Sequence, residues 1–108
     1  MPFTANYTNQ GPPLEQLEGI QGACVVEFGT DWCGHCRAAQ PHIAEAFQRF
    51  PEFRHIKVED GPGRRLGRSF RVKLWPTLIF LHNGHEIARL VRPQSTGEII
   101  EAMARISP

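Results

Sequence analysis

Residues 26–36 read Val-Glu-Phe-Gly-Thr-Asp-Trp-Cys-Gly-His-Cys. The first part belongs to a run, Ala23-Cys24-Val25-Val26-Glu27-Phe28, that is short, apolar and partly β-branched, as a buried central strand requires. The second part places Cys33 and Cys36 at the start of a helical pattern. Ala39, Ile43, Ala46, Phe47 and Phe50 supply the apolar stripe of that helix, and Pro51 stops it. Pro41 lies inside the helix, where it removes a hydrogen bond and is expected to kink the axis. A cysteine that opens a helix meets backbone N–H groups with no partner and a dipole that favours an anion. The thiolate is the reactive form of cysteine, so Cys33 is placed as a nucleophile. Cys36, one turn later, is placed to resolve a mixed disulfide from inside. His35 sits between them beyond Gly34. A protonated or hydrogen-bonding imidazole beside the Cys33 sulfur favours the reduced form and so makes the disulfide more oxidising.

Working outward, residues 1–13 are polar and end in Gly11-Pro12-Pro13, an arm or irregular edge strand. Leu14, Leu17 and Ile20 recur at helical spacing, giving a short helix that Gly22 closes. Residues 53–58 alternate as a strand, Gly61-Pro62-Gly63 breaks the chain, and residues 64–70 can form one or two helical turns. Thr77–His82 and His85–Val91 flank Asn83-Gly84, a strong hairpin signal. Ser95 or Thr96 can cap a last helix whose apolar face is Ile99, Ile100, Met103 and Ile106. This order predicts an α/β domain with a central mixed sheet flanked by helices on both faces.

The chain has 108 residues, 41% hydrophobic and 21% charged, with a net charge of +1. That length suits one domain, taken here as residues 14–108 with the arm before it. The near-neutral balance offers no bulk attraction to nucleic acid. No apolar run is long enough to span a membrane, and the first residues lack a basic start and apolar core. A cytoplasmic location is expected on that basis, and a monomer. The three cysteines do not form a disulfide scaffold; two of them in one motif point to catalysis or metal binding. A structural zinc site takes four ligands, commonly from two such pairs. One pair is present, and none of the five histidines has ligand-like spacing to another cysteine, so no metal is expected. Cys24 reads as a small buried hydrophobe. Residues 64–73 carry five basic groups and no acidic one, the pattern of a solvated face or of a dock for an acidic partner.

Three features in order, Val26–Cys36, Pro41 five residues after the second cysteine, and Trp75-Pro76-Thr77 before an Asn-Gly hairpin, resemble the thioredoxin superfamily from about residue 14 to 106. The resemblance implies a thioredoxin-like fold and thiol–disulfide exchange through a redox-active Cys33–Cys36 disulfide, with no bound cofactor. It makes Pro76 a cis proline facing the cysteines, with the backbone before it able to pair with an extended substrate segment. Trp32, Trp75, Val91 and Arg92 then border the substrate surface. Glu27, a carboxylate in a buried strand, stands where the family keeps a proton acceptor for the resolving cysteine, and burial is expected to raise its pKa. His55 or Lys57 on the next strand is a candidate partner for it.

Some residues depart from the thioredoxin pattern. The Cys-Gly-His-Cys loop and Glu27 look like those of protein disulfide isomerase domains. Leu74-Trp75 is bulkier than usual, and Arg92 occupies a region where glycine often lets substrate approach. The leading expectation is an enzyme that reduces protein disulfides, recharged by a flavin- and NADPH-dependent reductase. The alternatives are an oxidase or isomerase poise set by His35, and a thioredoxin-fold binding or adaptor module with little turnover.

Overall fold

A computed structural model describes residues 3–108. The elements follow in the order α1 (Leu14–Glu18), β1 (Ala23–Gly29), α2 (Gly34–Arg49), β2 (Arg54–Glu59), α3 (Arg65–Ser69), β3 (Thr77–His82), β4 (His85–Val91) and α4 (Thr96–Ile106). The sheet order is β2-β1-β3-β4. β1 runs parallel to β2 and antiparallel to β3, and β3 pairs antiparallel with β4. The sheet is therefore mixed, with β1 and β3 central and closed on both sides.

Alternation along the central strands divides the core in two. Val25, Leu78 and Phe80 point to the face covered by α2 and α4, where they meet Ile43, Phe47, Ile99 and Met103. Cys24, Val26, Phe28, Ile79 and Leu81 point to the other face, with Leu17 and Leu66 from α1 and α3. Period-two burial on both faces is why these strands read as nearly continuous apolar runs.

Several boundaries differ from the sequence reading. α1 ends at Glu18 and Gly19 caps it. Gly22 does not close the helix: it has a φ of 81° and hydrogen-bonds Asn83 of the hairpin, its N–H donating to Asn83 Oδ1 at 2.7 Å. β2 starts one residue late because the Phe53 N–H is taken by the Phe50 carbonyl in a turn at 3.1 Å. Asn83 and Gly84 both have positive φ, 50° and 81°, as the tightest hairpin turn demands. Between the two candidate caps, Ser95 caps α4: its Oγ accepts the Glu98 N–H at 3.2 Å, and Glu98 Oε2 accepts the Gln94 N–H at 2.9 Å.

The arm is bound along the outer edge of β2. Thr8 bridges Val58 in parallel; its N–H donates to the Lys57 carbonyl at 2.8 Å, and its carbonyl accepts the Glu59 N–H at 2.9 Å. Thr4 adds a hydrogen bond from Oγ1 to the His55 carbonyl at 2.7 Å. The edge of the sheet is covered by these contacts, and Tyr7 between them is turned toward the start of α2.

Candidate active site

The cysteine pair sits where β1 hands over to α2. Cys33 is the N-cap of α2, and its sulfur accepts the Cys36 N–H at 3.3 Å. The nucleophile thus stands at the positive end of a helix of 16 residues and takes up one of its free donors. All three cysteines are unpaired, so the structure is that of the dithiol. Cys33 is half-exposed and Cys36 is buried directly behind it. Burial pushes the Cys36 thiol up to about 12, helped by its hydrogen bond with Cys33 and opposed by the Thr30 backbone. Gly34 opens the helix with open space around it. His35 follows on the exposed face, and among the described residues no hydrogen bond joins its ring to Cys33.

Glu27 lies beneath the pair and is fully buried. Oε2 accepts hydrogen bonds from the Tyr7 hydroxyl at 2.9 Å and from Gln40 Nε2 at 2.8 Å, and Oε1 meets His55 Nε2 at 2.9 Å. The Thr4 N–H donates to His55 Nδ1 at 2.8 Å, so that nitrogen carries a lone pair and Nε2 carries the hydrogen directed at Glu27. Lys57, also buried, donates to the Ala5 carbonyl at 2.7 Å and to Gln40 Oε1 at 2.6 Å, with its ammonium 4.4 Å from the centre of the Tyr7 ring. His55 and Lys57 are two residues apart on a strand, so both face inward: His55 is the hydrogen-bond partner and Lys57 the nearby charge.

The expected rise in the Glu27 pKa is not what the site produces. Burial does push the carboxyl up, but the His55 hydrogen bond, the Lys57 charge and the Gln40 hydrogen bond together carry it below its ordinary value. A buried carboxylate with three donors and a cation beside it keeps its charge. Burial in turn lowers the Lys57 pKa, against the attraction of Glu27, Cys36 and Asp31.

The proposed substrate surface is assembled at one end of the sheet. The Trp75–Pro76 bond is cis, and Pro76 is buried. The Trp75 indole N–H donates to Asp60 Oδ2 at 2.8 Å, and Trp32 meets its ring edge-on at a centroid distance of 5.8 Å. Trp32 is 72% exposed and Val91 48% exposed, so both stand out from the surface. Arg92 has a φ of 53°, a backbone region that favours glycine, and its Nε donates to the Trp75 carbonyl at 2.9 Å. The guanidinium therefore occupies the Trp75 carbonyl. Cys24 is buried away from this surface, and burial pushes its thiol up to about 11.

Three contributors were not singled out in the sequence. Tyr7 lay in a segment with no periodicity, although it is the chain's single tyrosine. Gln40 sits four residues after Cys36 on α2 and also donates to the Cys36 carbonyl at 2.9 Å. Gly29 has no side chain to signal a role, yet a Cβ there would lie 2.5 Å from Cys36 Sγ and 2.6 Å from the Tyr7 hydroxyl oxygen. Among the described residues, no group of three or more His, Cys, Asp or Glu is placed to hold a metal ion, and no helix is long and apolar enough to cross a membrane.

Comparison with known proteins agrees with this geometry. The thioredoxin family model matches residues 14–105. The structure of thioredoxin 2 from Pseudomonas aeruginosa PAO1 in its reduced form superimposes with a TM-score of 0.82 at 57% identity, covering 93% of each chain. Among curated relatives, an H-type thioredoxin of Fagopyrum esculentum is 30% identical over 62% of this chain and 58% of its own length. Thioredoxin Asp f 28 of Aspergillus fumigatus is 28% identical over 80% of each. This chain thus spans little more than half of the first relative and four-fifths of the second. With the family model matched across residues 14–105 and this fold, the chain belongs to the thioredoxin family.

Proposed function

We propose that this protein is a thiol–disulfide oxidoreductase that reduces disulfides in client proteins. The observation that carries the reading is the pairing of a half-exposed Cys33 sulfur, hydrogen-bonded at the α2 N-terminus, with a buried Cys36 directly behind it. The Cys33 thiolate attacks one sulfur of a client disulfide, and the other client sulfur leaves as a thiolate. Cys36 then loses its proton and attacks Cys33 Sγ. The client departs as its second thiol and the Cys33–Cys36 disulfide remains. Glu27 is the proton acceptor for Cys36, kept ionised by its three donors. Gly34 leaves the approach to Cys33 open, and His35 sets the redox poise. Trp32, Trp75, Val91 and Arg92 border the bound client, with Pro76 shaping the backbone on which it lies.

No bound cofactor takes part beyond the cysteine pair. A flavin- and NADPH-dependent reductase returns the disulfide to the dithiol, and the protein works as a cytoplasmic monomer. Equilibrating the pair in graded thiol–disulfide buffers, then alkylating and weighing it, tests the direction. A potential near about −270 mV supports the reductant, and one near about −180 mV or higher overturns it in favour of oxidase or isomerase work. A pair that forms no internal disulfide at any poise overturns the redox reading altogether.

A further inference from the structure

The family match begins at residue 14, yet a side chain from before that point reaches the centre of the site. Tyr7 sends its hydroxyl to Glu27 Oε2 at 2.9 Å. The same oxygen faces Cys36: a methyl group built on Gly29 would crowd Cys36 Sγ and the Tyr7 oxygen equally, at 2.5 and 2.6 Å. The thiol and the phenol thus share one small gap, which exists because residue 29 is glycine. The gap opens into a cavity of about 150 Å³ lined by Tyr7, Thr30, Cys36, Gln40 and Lys57. The ring is held in place by the arm's pairing with β2 and by the Lys57 ammonium against its face. Charge and burial both hold the phenol in its neutral O–H form, because burial and the Glu27 carboxylate raise its pKa.

We propose that Tyr7 is a further catalytic residue, whose hydroxyl passes the Cys36 proton to Glu27 during resolution of the mixed disulfide. This rests on the oxidoreductase reading above. As the Cys36 sulfur forms its bond to Cys33 Sγ, the Cys36 S–H proton moves to the Tyr7 oxygen. The proton already on that oxygen moves to Glu27 Oε2, and the client sulfur leaves with the electron pair of the broken S–S bond. Tyrosine ends as it began, neutral. Glu27 becomes the carboxylic acid and later returns its proton to solvent. Before the mixed disulfide forms, Cys33 is one of the groups that hold the Cys36 pKa up. Once Cys33 is bound to the client, its charge no longer opposes ionisation of its neighbour, so deprotonation becomes easier at the step that needs it. The titratable groups around the relay are Glu27 of β1, His55 and Lys57 of β2, Cys36 of α2, and Asp31 and Arg37 at the cavity mouth.

The test uses the full chain and the aromatic disulfide DTNB, which releases one coloured thiolate when Cys33 attacks and a second when Cys36 resolves the adduct. Stopped-flow traces are taken for wild type and Tyr7→Phe between about pH 5 and 8, a variant that keeps the ring and deletes the oxygen. The expected result is an unchanged first phase and a second phase slowed about 100-fold near neutrality, regaining speed as pH rises. Glu27→Gln should give the same slow, pH-dependent second phase, and the double variant should be no slower than either single one. A second phase in Tyr7→Phe that matches wild type across the pH range overturns the relay. So does an equal slowing of both phases, which marks a purely structural role. A wild type with no second phase overturns the oxidoreductase reading instead, which keeps the two failures apart.

Discussion

Glu27→Gln replaces a carboxylate with its neutral isostere and tests whether the buried network requires charge. The carboxylate accepts from Tyr7, Gln40 and His55 at 2.9, 2.8 and 2.9 Å. An amide at this position has one oxygen, which can serve two donors, and an NH2 group that must face the third. If the NH2 faces His55, two donors meet, because the lone pair of that ring is already taken by the Thr4 N–H. If it faces Tyr7 and Gln40, the Gln40 amide cannot turn to accept without losing its 2.6 Å bond from Lys57. Lys57 is left buried with no carboxylate beside it. Hydrogen bonds to a charged acceptor contribute about 1.5–3 kcal/mol each, and leaving a buried donor without a partner costs about 1–3 kcal/mol. Allowing for the bonds the amide retains, the variant should lose about 3–5 kcal/mol at neutral pH, a large share of the roughly 5–15 kcal/mol a domain possesses. In urea that is a fall in midpoint of roughly 2 M. The pH series carries the sharper reading. In the folded chain Glu27 is held below its ordinary 4.5, so as pH falls the unfolded state takes up the proton first. The contribution of ionised Glu27 is complete above the unfolded value and disappears as pH drops through the folded one. Wild-type stability should therefore decline more steeply in acid than that of the variant, and the two curves should converge. A loss under about 1 kcal/mol at neutral pH, or acid limbs that run parallel, would refute the reasoning.

Gly29→Ala inserts a methyl against Cys36 Sγ and the Tyr7 oxygen, and should cost about 1–3 kcal/mol in urea unfolding while slowing the second DTNB phase more than the first. Arg92→Ala frees the Trp75 carbonyl; it should lower KM for extended disulfide peptides about 3- to 10-fold with kcat little changed, since a rim charge is exchanged for a backbone acceptor. An unchanged or higher KM would show that the guanidinium helps to bind the client. Phe80→Ala empties a fully buried ring site between β3 and the α2/α4 layer, and should destabilise by about 3–5 kcal/mol in the same urea assay without altering the Cys33 reaction rate in the folded protein.

The parts of this protein that could be read from sequence are those whose meaning is local. Cys33 and Cys36 announce themselves because a strand ends and a helix begins within one short stretch, and a helix N-terminus acts on whatever side chain caps it. Glu27 stood out as a charge in an apolar run. The direction of its pKa shift could not be read, because burial is a property of the strand while the groups that outweigh it come from β2 and α2. The choice between His55 and Lys57 follows from strand geometry: residues two apart on a strand share a face, so both point the same way. Tyr7 and the Asp60–Trp75 bond lie in irregular segments, where spacing carries no information about contacts. Their partners are 20 and 15 residues away along the chain. The arm, which precedes the family match at residue 14, also takes part in the site. Thr4 fixes the proton on His55, Ala5 takes a Lys57 donor, and Tyr7 reaches Glu27. Each acts through a different atom, so no common motif marks them, yet all three join the hydrogen-bond network around Glu27. Deleting the arm should therefore change how fast Cys36 resolves a mixed disulfide more than how fast Cys33 forms one.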